Sequence, residues 1–122
     1  MALTAFRPLI LMLAGFVGAS GVMLAAAASH GADARLLGSA STMCLAHAPV
    51  LLALYLGDRR IRTANLAALV LAFGTLLFCG DLLSRHFGHA SLFPMAAPAG
   101  GLAMIVGWLI IAAGAFLPVR TT

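Results

Sequence analysis

The chain has 122 residues, of which 63% are hydrophobic and 8% charged, with a formal net charge of +4. So little polar surface cannot wrap a water-facing core, which excludes a soluble globular domain and leaves lipid as the outer solvent. The positive charge is all arginine, placed between apolar runs as topology signals are and not on a basic face interleaved with aromatics, so nucleic acid is not expected as a partner.

The pattern predicts an all-α membrane protein, a single four-helix transmembrane domain over 1–122 with helices at about 8–28, 37–56, 65–83 and 98–117. The first run follows Arg7 and ends in AAAASHGADA, which resembles a signal-peptidase site. It exceeds the ~7–15 residue core of a signal peptide. Gly15, Gly18, Ala19 and Gly21 also suit helix packing, so it reads as a retained spanning helix.

A polar link passes from His30-Gly31 through Asp33 and Arg35. The second run begins with Gly38, Ser39, Ser41 and Thr42, too polar to face lipid, so this half is expected to face protein. Pro49 lies inside it and frees the carbonyl of Leu45, which predicts a kink. Gly57 to Arg62 is the clearest loop. The third run closes on Cys79, Gly80 and Asp81, and a polar connector with Pro94 and Pro98 leads into the fourth. Cys44 and Cys79 sit within apolar segments and read as buried thiols, not a disulfide framework.

The fourth run, Pro98 to Pro118, carries no charge. Gly100, Gly107 and Gly114 recur every seventh residue, so they share one stripe along which a neighbouring helix can approach closely. Pro118 and Arg120 mark its exit. Four crossings place Arg7, Arg59, Arg60, Arg62 and Arg120 on one side, against Arg35 and Arg85 on the other. The positive-inside rule then expects both termini in the cytoplasm. Phe6, Tyr55 and Phe116 fit a weak inner aromatic belt, and Phe87 and Phe93 an outer one.

His47 is the most informative polar residue, roughly 15 Å along its helix from the outer end at a 1.5 Å rise. A buried imidazole in lipid must face protein or water. Met43 and Cys44 share its neighbourhood, so a soft-metal, haem or proton-relay role stands beside the plainer reading of one hydrogen bond within the bundle, which is preferred. His86 and His89, with His30, Asp33 and Asp81, have the spacing for an outward divalent-metal cluster. Loop histidines at a bilayer surface are more often solvated, so no metal or cofactor is expected. Asp81 with Arg85 and Asp58 with Arg62 form i, i+4 pairs in the favourable order. Trp108 lies mid-helix, where it is expected to pack and not to anchor at an interface. The chain has no Glu and no Ser/His/Asp or Cys/His set, so an enzyme is not expected.

The segments LAAAASHGADARL, LAHAPVLLALYLG, GTLLFCGDLL and PMAAPAGGLAMIVGWLIIAAGAF resemble the proteins grouped as domain of unknown function 423, whose animal relatives are called transmembrane protein 256. That family carries an Ala-His-Gly after the first helix, a Tyr-His-Ala-Leu in the second and a Pro-x-Gly-Gly opening the fourth. Here these become Ser29-His30-Gly31, Ala46-His47-Ala48-Pro49 and Pro98-Ala99-Gly100-Gly101. The link between His30 and His47 is shorter than the family's, Ala46 replaces an aromatic, and Asp81 stands where a small polar residue is usual. The resemblance implies a four-helix inner-membrane protein and singles out His30 and His47 as polar positions; it implies no activity.

These readings converge on a multi-pass protein of the bacterial inner membrane that acts by helix packing, as an accessory, assembly or scaffold protein. Its expected partners are the lipid bilayer and other membrane proteins, or itself as a homo-oligomer. The alternatives are a small transporter or channel lined by His47 and the Ser/Thr half of the second helix, or a haem-, metal- or quinone-binding module.

Overall fold

The computed structural model describes residues 2–31 and 34–119; Asp33 and Arg120 lie outside them. A 3-10 turn, Ala2–Phe6, leads into α1 (Arg7–His30), which is followed by α2 (Arg35–Leu56), α3 (Ala64–Gly88) and α4 (Ala96–Ala113), closed by a 3-10 turn at Gly114–Phe116. Among the described residues there are no strands. Each helix is long and apolar enough to cross a membrane.

The helix ends differ from expectation where local chemistry extends them. α3 runs on to Gly88 because the Arg85 Nε donates to Asp81 Oδ2 at 2.9 Å, one turn back, holding Ser84 to Phe87 helical. Arg85 and His86 in the last turn also oppose the negative end of the helix dipole. α4 starts at Ala96, so Pro98 falls in its first turn, where its missing N–H is not needed. α2 continues through Pro49 without interruption.

The helices form a sequence of neighbours. α1 packs on α2, α2 on α3 and α3 on α4, with a thin contact between α1 and α3 and no substantial one between α1 and α4. α3 is therefore central, and it is built for close approach: Ala64, Ala67, Ala68, Ala72 and Gly74 are all buried. Apolar surface gives little drive for association inside lipid, so interhelical hydrogen bonds help fix the arrangement. Ser41 Oγ donates to the Gly21 carbonyl at 2.8 Å, joining α2 to α1. Thr63 Oγ1 donates to the Ile110 carbonyl at 2.8 Å, joining the start of α3 to the end of α4.

The Gly57–Arg62 end is tied down by Arg7. Its guanidinium donates to the Tyr55 carbonyl at 2.7 Å, lies 4.4 Å from the centre of the Tyr55 ring and pairs with Asp58 at 3.2 Å. Asp58 thus bonds to the start of α1 and not to Arg62, a correction to the local pair expected from spacing. The long-range partner wins because it arrives with a carbonyl and a ring to hold it in place.

The opposite end is organised by Asp81, whose side chain is fully buried. Besides Arg85, its carboxylate accepts the Leu92 N–H at 2.8 Å, and Ser84 Oγ donates to the Ala90 carbonyl at 2.6 Å. These bonds hold a connector bracketed by two left-handed residues, His89 at φ 59° and Met95 at φ 68°. Non-glycine residues adopt that conformation at a cost of roughly 1–2 kcal/mol each, which the anchored carboxylate offsets.

Candidate functional site

α2 and α4 do not pack directly along their length, and Phe78 of α3 lines the space they leave. The result is a cleft of about 380 Å³ lined by Met43, His47, Phe78, Gly101, Met104 and Trp108, among others. His47 is 5% exposed, and both of its ring nitrogens are occupied. Nδ1 lies 2.9 Å from the Met43 carbonyl, and Nε2 accepts the indole N–H of Trp108 at 3.2 Å. A carbonyl can only accept and an indole N–H can only donate, so the ring is neutral with its proton on Nδ1. The two rings meet edge to face, 5.9 Å between centroids.

This arrangement bears on every role considered for His47. A metal or haem iron needs a lone pair, and the available one is taken by Trp108. A proton relay needs an imidazole with a free entry or exit, and both nitrogens face a protein group. Trp108 is 46% exposed, so its indole body meets lipid while its polar edge points inward. It joins α4 to α2 across the cleft, a partnership between residues 61 apart that no local pattern reveals.

The other candidate histidines do not join it. His30 ends α1, while His86 packs edge-on to Phe87 at 4.7 Å and His89 forms the left-handed cap of α3. Among the described residues, no three His, Cys, Asp or Glu side chains are grouped to hold an ion.

The glycine stripe is in close contact within the same chain: Gly100 and Gly107 of α4 meet α3, and Gly114, in the closing 3-10 turn, meets Thr63 just before α3. A Cβ on Gly100 would lie 2.6 Å from the Phe78 backbone nitrogen, one on Gly107 2.6 Å from the Leu71 side chain, and one on Gly114 2.8 Å from Thr63 Oγ1. Gly74 answers from α3, its missing Cβ falling 2.8 Å from the Gly100 carbonyl. Helical glycines without such a neighbour lie elsewhere: nothing stands within 4 Å of a Cβ built on Gly15, Gly38 or Gly101. Gly15 opens onto a groove of about 500 Å³ between α1 and α2, whose floor is Ala14, Gly15, Gly18, Ala48 and Pro49.

Two further features escaped the sequence reading. Asn65 is 3% exposed, and neither its amide oxygen nor its nitrogen has a hydrogen-bond partner in the protein. Cys44 and Cys79 come together across the α2–α3 interface. Their only sequence signal was that both lie in apolar runs.

Four hydrophobic helices tied by a few buried polar bonds, with charge confined to the ends, define a small polytopic membrane protein. The model of a family described as Protein of unknown function (DUF423) matches residues 24–101, and the chain belongs to that family. Similar proteins include the UPF0382 inner membrane protein YgdD of Escherichia coli K12 and that of Shigella flexneri. Each is 35% identical over 49 residues, 40% of this chain and 37% of the relative, so the match spans little more than a third of the relatives' length. No solved structure matches. The chain is accordingly a multi-pass inner-membrane protein of a family without an assigned activity.

Proposed function

We propose that this protein works by presenting a helix-docking surface to another membrane protein or to a second copy of itself, as an accessory or scaffold subunit without catalysis of its own. The observation that carries this reading is the open α1–α2 groove. Glycine within a helix costs about 0.5–1 kcal/mol relative to alanine, and close helix contact is the usual reason for it in a bilayer. Gly100 and Gly107 have that reason inside the chain. Gly15 does not, and it sits on the floor of a groove of about 500 Å³ walled by two helices. A helix from outside would supply the missing neighbour.

Transport is supported less, because the imidazole that would line a path is committed to Met43 and Trp108. The bonds of Arg7 to Tyr55 and Asp58, and of Thr63 to Ile110, gather the α1 start, the Gly57–Arg62 loop and the α4 end at one face. With Arg7, Arg59, Arg60 and Arg62 there, we assign that face to the cytoplasm.

The docking reading is tested with Gly15→Leu, whose Cβ has no atom of the chain within 4 Å and whose side chain extends into the groove. Purified in mild detergent, the wild type should elute with a partner or as an oligomer, and the variant as a folded monomer with unchanged helicity. A wild type that is monomeric and alone, or a variant that associates equally well, would refute it.

A further inference from the structure

Cys44 and Cys79 meet across the α2–α3 interface with their sulfurs 3.3 Å apart, and the Cys79 thiol also lies 3.4 Å from the Ala40 carbonyl, which keeps it turned toward α2. Each sits a rise of ~14 Å from the nearer helix end, close to the middle of a ~30 Å hydrocarbon core. Both are 5% exposed, and both line a cavity of about 170 Å³ where α1 and α3 part. Phe16, Val17, Leu76 and Leu83 wall that cavity, and Ser20 supplies its one hydroxyl. The thin contact between α1 and α3 noted above coincides with this opening.

We propose that Cys44 and Cys79 form an oxidisable dithiol served from the lipid phase by a quinone, which enters the α1–α3 cavity and closes the pair to a disulfide between α2 and α3. The sulfurs need to approach by about 1.3 Å to reach bonding distance, a movement within reach of side-chain rotation in helices already packed together. In the step, the two S–H bonds break and one S–S bond forms. The quinone takes both electrons and both protons and leaves as hydroquinone.

Depth selects the oxidant. A thiolate, a hydrated proton or a polar oxidant is unstable where no water solvates charge. A two-electron, two-proton acceptor soluble in hydrocarbon avoids all three, because no charge has to leave the cavity. Ser20, which lines the cavity, carries the hydroxyl that would donate to a quinone carbonyl. The product staples α3 to α2 at mid-membrane, a covalent lock that reports the oxidation state of the quinone pool.

The test uses the full chain in lipid nanodiscs, exposed either to a fully substituted benzoquinone with an alkyl tail, which has no free ring carbon for thiol addition, or to a water-soluble oxidant. After denaturation, remaining thiols are alkylated with a maleimide and intact mass is read. The expected result is loss of two hydrogens and no alkylation with the quinone, little oxidation with the polar reagent, and hydroquinone formed in equal amount. Cys44→Ser and Cys79→Ser should each retain one alkylatable thiol. Ser20→Ala, exposed on α1 and neutral to folding, should slow the oxidation several-fold. Two free thiols after prolonged quinone exposure would overturn the proposal. Equal oxidation by the polar reagent would overturn the lipid route, and an unchanged rate in Ser20→Ala would remove the hydroxyl from it.

Discussion

Gly100 and Gly101 are adjacent in sequence and opposite in circumstance, which makes them a test of how α4 is held. A Cβ at Gly100 would meet the Phe78 nitrogen at 2.6 Å, the Gly74 carbonyl at 2.8 Å and the Phe78 Cα at 3.0 Å, all backbone atoms that cannot swing aside. Restoring an ordinary 3.4 Å contact from 2.6 Å requires α4 to retreat by about 0.8 Å. A gap of ~0.5–1 Å forfeits a quarter to a half of each dispersion contact nearby, and overpacking of a tight interface typically costs about 1–3 kcal/mol. Against this stands a helix-propensity gain of about 0.5–1 kcal/mol for alanine over glycine. Gly100→Ala should therefore destabilise by about 1–2 kcal/mol, and the same retreat should stretch the Trp108–His47 bond. At Gly101 nothing lies within 4 Å, so Gly101→Ala should leave stability unchanged or raise it by up to about 1 kcal/mol. Equilibrium unfolding of the three proteins in mixed micelles measures the difference. A Gly100→Ala protein as stable as Gly101→Ala would show that the α3–α4 interface does not depend on backbone contact at this point.

Asp81→Ala leaves the Leu92 N–H and the Arg85 guanidinium without their carboxylate; a loss of about 2–4 kcal/mol is expected, seen as protease cleavage in the 88–95 connector before global unfolding. Asn65→Leu removes two buried polar atoms that have no partner in the protein, and should stabilise by about 1–3 kcal/mol in the same unfolding assay. Trp108→Phe keeps an aromatic body but removes the donor to His47 Nε2, for a loss of about 1 kcal/mol and an indole-free route for reagents to the imidazole, read by diethylpyrocarbonate labelling. A phosphatase fused to the C-terminus should be inactive and a fluorescent protein there bright; the reverse would overturn the cytoplasmic assignment.

Four spanning helices were legible because each run is long, apolar and bounded by charge; the interior face of α2 was legible only in part, since Ser41 does bond to α1 while Ser39 and Thr42, expected to face protein with it, point outward and are exposed. The glycine stripe announced a close contact, though it could not say that α3 of the same chain supplies it. Tertiary pairs were illegible for a simple reason: Arg7 with Asp58, Thr63 with Ile110 and Trp108 with His47 join residues whose spacing carries no period. Local rules even misdirected one of them, since Arg62 stood at the right spacing for Asp58. The approach of Cys44 to Cys79 belongs to the same class, because it depends on the register of α2 against α3.

The division among helical glycines bears directly on what the molecule can engage. Had the α4 stripe faced outward, α4 would have been the docking helix and its high lipid exposure would have been an interface in waiting. Instead the stripe is spent on α3, and the outer face of α4 shows Leu102, Ile105, Trp108 and Leu109, bulky residues that suit acyl chains. The α1–α2 side is the reverse: its outer surface dips to Gly15, Gly18 and Ala14, the depression that the docking proposal assigns to a second helix. Two apolar faces of one small protein thus differ in side-chain size, and on the docking proposal it is the notched one that would give a partner helix the backbone proximity that association in lipid requires.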